Sequence, residues 1–100
     1  MILSEGQALQ SFAALSDETR LAIVRALVKY GMEGASAGSI AQSVGATASR
    51  CSFHLAKLEH AGLISSEKEG RQMTYRVNFT SLVALVDFIL IDCCKDAPQA

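Results

Sequence analysis

The chain has 100 residues, 50% of them hydrophobic and 19% charged. This is one domain's worth of ordinary globular composition, and it excludes disordered, fibrous and supercharged proteins. Nine Lys and Arg against ten Asp and Glu leave a formal charge of −1, so a surface for nucleic acid must be a local concentration of positive charge.

The spacing of apolar residues divides the chain into short helices followed by a hairpin and a last helix. Ser4 with Gln7 three positions on has the spacing of a capping box, and Leu9, Phe12, Ala13 and Leu15 then share a helical face. Asp17 and Glu18 open a second helix whose apolar positions are Leu21, Val24, Leu27 and Val28, stopped at Tyr30-Gly31. A small-residue loop, Gly31 to Ala35, leads to Ser36 as cap of a two-turn helix with Ile40, Ala41 and Val44, ended by Gly45. Thr47 caps a longer helix in which Cys51, Leu55 and Leu58 recur at i, i+4 and i+7 before Gly62. Two helices joined by so tight a turn form a helix-turn-helix.

The period then changes to two. Leu63 to Ser66 and Met73 to Phe79 read as strands around a polar tip, Glu67 to Gln72, with Gly70 for the turn. Met73, Tyr75, Val77 and Phe79 fall on one face of the second strand. A hairpin directly after a helix-turn-helix is a wing. The final segment, Ser81 to about Cys94, is apolar nearly all round, more than one small domain can cover. The expected architecture is a single domain over residues 1–100, mainly α with a small β-hairpin, in the order ααααββα. Its first and last helices form a homodimer interface. The longest apolar run, residues 82–91, is too short for the roughly 20 residues of a membrane span. Met1 to Glu5 lacks the basic flank and apolar stretch of a secretory signal. A cytoplasmic location without a membrane partner is therefore expected.

Three motifs in order resemble the ArsR/SmtB family of winged-helix metalloregulatory repressors, over about residues 8 to 94. They are Phe12-Ala13-Ala14-Leu15-Ser16-Asp17-Glu18-Thr19-Arg20-Leu21, then Ser52-Phe53-His54-Leu55-Ala56-Lys57-Leu58 through Ile64, then Glu69-Gly70-Arg71-Gln72 through Val77. The resemblance implies a homodimeric transcriptional repressor on a palindromic DNA operator, released by an inducer and requiring no cofactor to bind DNA. Charge is distributed accordingly. Residues 47–76 carry Arg50, Lys57, Lys68, Arg71 and Arg76 against Glu59, Glu67 and Glu69, a net +2 in a chain of net −1. With Cys51, Leu55 and Leu58 inward, Ser49, Arg50, Ser52, Phe53, His54 and Lys57 are expected on or near the outward side of the recognition helix, to meet the major groove. Arg71, with Gln72, is expected at the wing tip, suited to a narrow minor groove.

The inducer is argued from ligands. Residues 35–41 lack the Cys-x-Cys pattern by which some members of this family sense arsenic, cadmium or lead. Asp87 and Asp92 lack the neighbouring histidines of the zinc and nickel sensors. Cys93-Cys94 resembles the vicinal pair of an arsenic-responsive subset, so trivalent arsenic or antimony is the expected inducer, held by soft thiolates. A redox- or persulfide-responsive repressor using the same thiols is the alternative. Cys51 reads as a small core residue. Its i, i+3 spacing to His54 mimics a Cys-His pair, but without an orienting acid or oxyanion loop the reading is of a protein that is not an enzyme.

Overall fold

A computed structural model describes the backbone of residues 3–96 and the side chains of residues 3–90. Its helices are α1 (Glu5–Leu15), α2 (Glu18–Tyr30), α3 (Ala37–Val44), α4 (Ala48–His60) and α5 (Phe79–Asp96). Its strands are β1 (Ala35–Ser36), β2 (Ile64–Glu69) and β3 (Gln72–Val77). The strands form one antiparallel sheet in the order β1-β3-β2.

Each of the first four helices begins at a side chain that satisfies an otherwise orphaned N–H. Ser4 and Gln7 make the reciprocal capping box of α1. Asp17 accepts from the Arg20 N–H, Ser36 from that of Ser39, and Thr47 from that of Arg50. The α3–α4 turn is short because Gly45, at φ +70°, adopts the left-handed cap that other residues resist.

The core lies where α2, α3, α4 and the sheet converge. Ile23, Leu27, Ile40, Cys51, Leu55, Leu58 and Leu63 are almost completely enclosed there. The inward stripe of α4 and the inward Ile40 and Ala41 of α3 are as the spacing predicts.

Four local expectations are corrected. The loop before α3 is a 3₁₀ turn (Gly31–Glu33) followed by β1, whose Ala35 and Ser36 pair with Tyr75 and Thr74. The close approach needs Gly34: a Cβ there would stand 2.5 Å from the Tyr75 carbonyl oxygen, and its φ is +72°. On α2 the inward positions are Ile23, Val24 and Leu27, while Leu21 and Val28 are exposed. On α1 the small residues Ala8 and Ser11 turn to the core and Leu9 is exposed. Phe79 belongs to α5 rather than to a strand. Asn78 breaks the strand, since its side-chain oxygen accepts from the Ser81 N–H and its amide donates to the Gly62 carbonyl, which starts the helix two residues early.

Helix α5 has two faces. Ser81, Ala84 and Leu85 are buried, whereas Phe79, Val83, Val86 and Leu90, spaced at i, i+4, i+7 and i+11, lie open to solvent. None of the described helices is long and apolar enough to cross a membrane.

Candidate nucleic-acid interface

Helix α4 presents its outer face beside the β2–β3 hairpin, and the sequence of α4 dictates which residues lie there. At about 100° per residue, Ser49, Phe53, Ala56 and His60 point directly away from the stripe of Cys51, Leu55 and Leu58. Arg50 and Lys57 share one flank, and Ser52 and Glu59 the other. The second flank faces the wing, because Glu59 accepts a 2.7 Å hydrogen bond from the Ser66 hydroxyl of β2. Ser49, Arg50, Ser52, Phe53 and Lys57 are all exposed. Phe53 keeps 56% of its surface in water. The Lys57 ammonium sits 5.1 Å from the centre of its ring, a cation–π contact that holds both side chains at the surface. Both line an open groove of about 620 Å³ against Gln10, Ala13 and Ala14 of α1.

Arg71 and Gln72 are exposed where the hairpin turns, with Gly70 at φ +69° preceding them and Gln72 paired with Glu69. Lys68, not among the expected site residues, lies on the same hairpin face as Ser66 and therefore looks toward α4. It was discernible from strand alternation once the register was known.

His54 is corrected. It is 8% exposed and faces inward, because a residue three after Cys51 and four before Leu58 lies on the buried side of the helix. Its Nδ1 stands 3.1 Å from the Arg20 guanidinium. Guanidinium can only donate, so in this contact Nδ1 is the acceptor. Asp17 lies further off, at 3.9 Å. The Arg20 Nε also donates to the Ala14 carbonyl at 2.6 Å. Arg20 thus joins the end of α1, the start of α2 and the middle of α4. Its role was missed because it links segments distant in sequence. Asp17 is held below the ordinary carboxylate pKa, first by the Arg20 backbone N–H and also by the Arg20 charge.

Cys51 is enclosed, with its thiol toward the Ala37 carbonyl at 3.8 Å, and burial pushes its pKa up. It is a core residue rather than an attacking thiolate. The side chains of Cys93 and Cys94 lie outside the described residues. Among the described residues, no three His, Cys, Asp or Glu side chains cluster in a metal-binding arrangement.

A helix-turn-helix followed by a β-hairpin wing, its sheet completed by β1 from ahead of α3, defines a winged helix-turn-helix domain. Residues 15–67 match the family described as helix-turn-helix domain. The chain is 40% identical over 62 residues to the uncharacterized HTH-type transcriptional regulator YceK of Bacillus subtilis (strain 168), an alignment covering 62% of this chain and 61% of that protein. It therefore spans less than two thirds of that relative's length. The ArsR-like transcriptional regulator from Rhodococcus sp. RHA1 superposes with a TM-score of 0.79 at 31% identity, covering 90% of this chain and 82% of that one. The homodimeric winged helix-turn-helix DNA-binding domain of a possible ArsR-family regulator from Mycobacterium bovis superposes at 0.69 with 25% identity, covering 91% and 80%. The chain belongs to the ArsR-like family of helix-turn-helix transcriptional regulators.

Proposed function

We propose that the protein is a homodimeric repressor that binds a palindromic DNA operator through α4 and the wing and is released by trivalent arsenicals or antimonite at Cys93 and Cys94. The observation that carries the DNA-binding reading is the outer face of α4. Ser49, Arg50, Ser52, Phe53 and Lys57 stand free on one rigid helix, with Arg71 on the neighbouring hairpin. Hydroxyls and cations of this kind suit phosphate and base edges, and an exposed Phe suits a thymine methyl. The dimer reading rests on the open apolar stripe of α5 and on Leu9 of α1, together with the homodimeric state of the Mycobacterium bovis domain. Two copies joined there would set two recognition helices about one DNA turn apart, roughly 34 Å.

The inducer reading rests on thiol chemistry. Cys93 and Cys94 are adjacent on the terminal part of α5, and adjacent helical residues project about 100° apart. One arsenic atom bonded to both therefore requires the last turn to open. Since α5 is the proposed dimer helix, that distortion changes the spacing of the recognition helices and weakens the fit to DNA. Coupling of this type amounts to about 1 to 3 kcal/mol. Two thiolates suit a methylated or aryl trivalent arsenical.

The test is fluorescence anisotropy of the reduced protein on DNA from upstream of its own gene, with arsenite or phenylarsine oxide, beside a Cys93→Ser, Cys94→Ser double variant. Release of wild type but not of the variant is expected. Binding that ignores arsenicals and responds to peroxide or polysulfide would replace this inducer with a redox one. Absence of specific DNA binding would overturn the reading as a whole.

A further inference from the structure

The two faces of the wing differ in charge. The pairings Ser65↔Arg76, Glu67↔Thr74 and Glu69↔Gln72 put these six residues on one face. The opposite face, with Ser66 and Lys68, looks toward α4. Two carboxylates on a hairpin brought to DNA would oppose binding. Here both are engaged by one guanidinium: Arg76 Nη1 lies 3.3 Å from Glu67 and Nη2 2.9 Å from Glu69, while Nε donates at 2.7 Å to the Met32 carbonyl of the 3₁₀ turn. The Thr74 hydroxyl donates to the other oxygen of Glu69 at 2.9 Å. Glu69 is accordingly held below the usual carboxylate pKa, mainly by Arg76 and then by Thr74.

Arg76 is the least exposed member of this group, at 27% of its side-chain surface against 70% for Glu67 and 47% for Glu69. Its stem is confined by the backbone at Gly34, where a Cβ would come within 2.7 Å of Arg76 Cγ. The guanidinium is therefore oriented at the carboxylates. Four cations near the interface, Arg50, Lys57, Lys68 and Arg71, have no such ion pair among the described residues.

We propose that Arg76 is a positioning residue for DNA binding, which masks Glu67 and Glu69 from the phosphate backbone and does not itself contact phosphate. The proposal rests on the DNA-binding reading above. It corrects the simple count of basic residues, in which Arg76 stood as one more cation for DNA.

A mutant cycle on operator DNA separates the two roles. Arg76→Gln should weaken binding about tenfold or more by unmasking like charge toward DNA. The Glu67→Gln, Glu69→Gln double variant should bind at least as tightly as wild type, and adding Arg76→Gln to it should cost less than about twofold. An equal loss in both backgrounds would show that Arg76 acts on DNA directly or supports the fold, and would overturn the proposal. A carboxyl NMR titration without DNA supplies an independent readout: the Glu69 midpoint should rise in Arg76→Gln. An unmoved midpoint in a protein that binds DNA overturns the clamp alone. Failure of wild type to bind any DNA overturns the functional reading, and this role with it, while the titration still reports whether the clamp exists.

Discussion

Helices α4 and α5 are both rich in apolar residues, and they dispose of them differently. In α4, Cys51, Leu55 and Leu58 are sealed within the protomer, and what remains outside is polar apart from Ala48, Phe53 and Ala56. In α5 the inner face buries Ser81, Ala84 and Leu85 and packs Leu82 against the core, while Phe79, Val83, Val86, Ile89 and Leu90 remain in water. One protomer is therefore sufficient to anchor α4 but not to cover α5. Stability of the helix-turn-helix and assembly of the proposed dimer rest on different residues, which makes them experimentally separable.

The sharpest test is a pair of variants on the two helices. Leu58→Ala leaves a cavity at a fully enclosed site and should cost about 2 to 5 kcal/mol in urea unfolding. Val86→Asp with Leu90→Asp changes side chains that are 53% and 55% exposed in the protomer. It should leave each protomer's helix-turn-helix intact but raise the dimer dissociation constant about a hundredfold or more, because the charges would be buried only on association. Sedimentation at several concentrations, alongside circular dichroism, distinguishes the two. If the α5 variant stays dimeric, or if it unfolds as Leu58→Ala does, the division between the helices fails.

The same division explains what was legible in sequence. Caps and stops depend on near neighbours, so Ser4, Asp17, Ser36, Thr47 and Gly45 mark the helix ends they were expected to mark. The inner stripe of α4 follows from spacing alone. Long-range partners were not legible. A two-residue strand at Ala35–Ser36 exists only because β3 pairs with it. His54 turns inward because Arg20, 34 residues earlier, supplies the donor that makes burial of its ring affordable. Composition counts Arg76 simply as a cation, whereas its ion pairs with Glu67 and Glu69 depend on the hairpin register. Leu9 and Leu21 show the converse: helical spacing identifies apolar residues but not which of them the protomer encloses.

The smallest expected effect concerns the junction that carries α4. Asp17 caps α2 through the Arg20 N–H, and its lowered pKa means that the ionised carboxylate favours the folded state. Such a group contributes stability above its unfolded pKa, near the ordinary 3.8, and that contribution is lost as pH falls through the lower folded value. Asp17→Asn keeps a competent cap oxygen but removes the charge. The variant should therefore be slightly less stable than wild type at neutral pH, and the gap should close as the pH falls below about 4. Urea unfolding of both proteins between neutrality and pH 3 measures it. A gap that persists unchanged into acid would assign the contribution of Asp17 to hydrogen-bond geometry, leaving its charge without a part in holding α4 to α2.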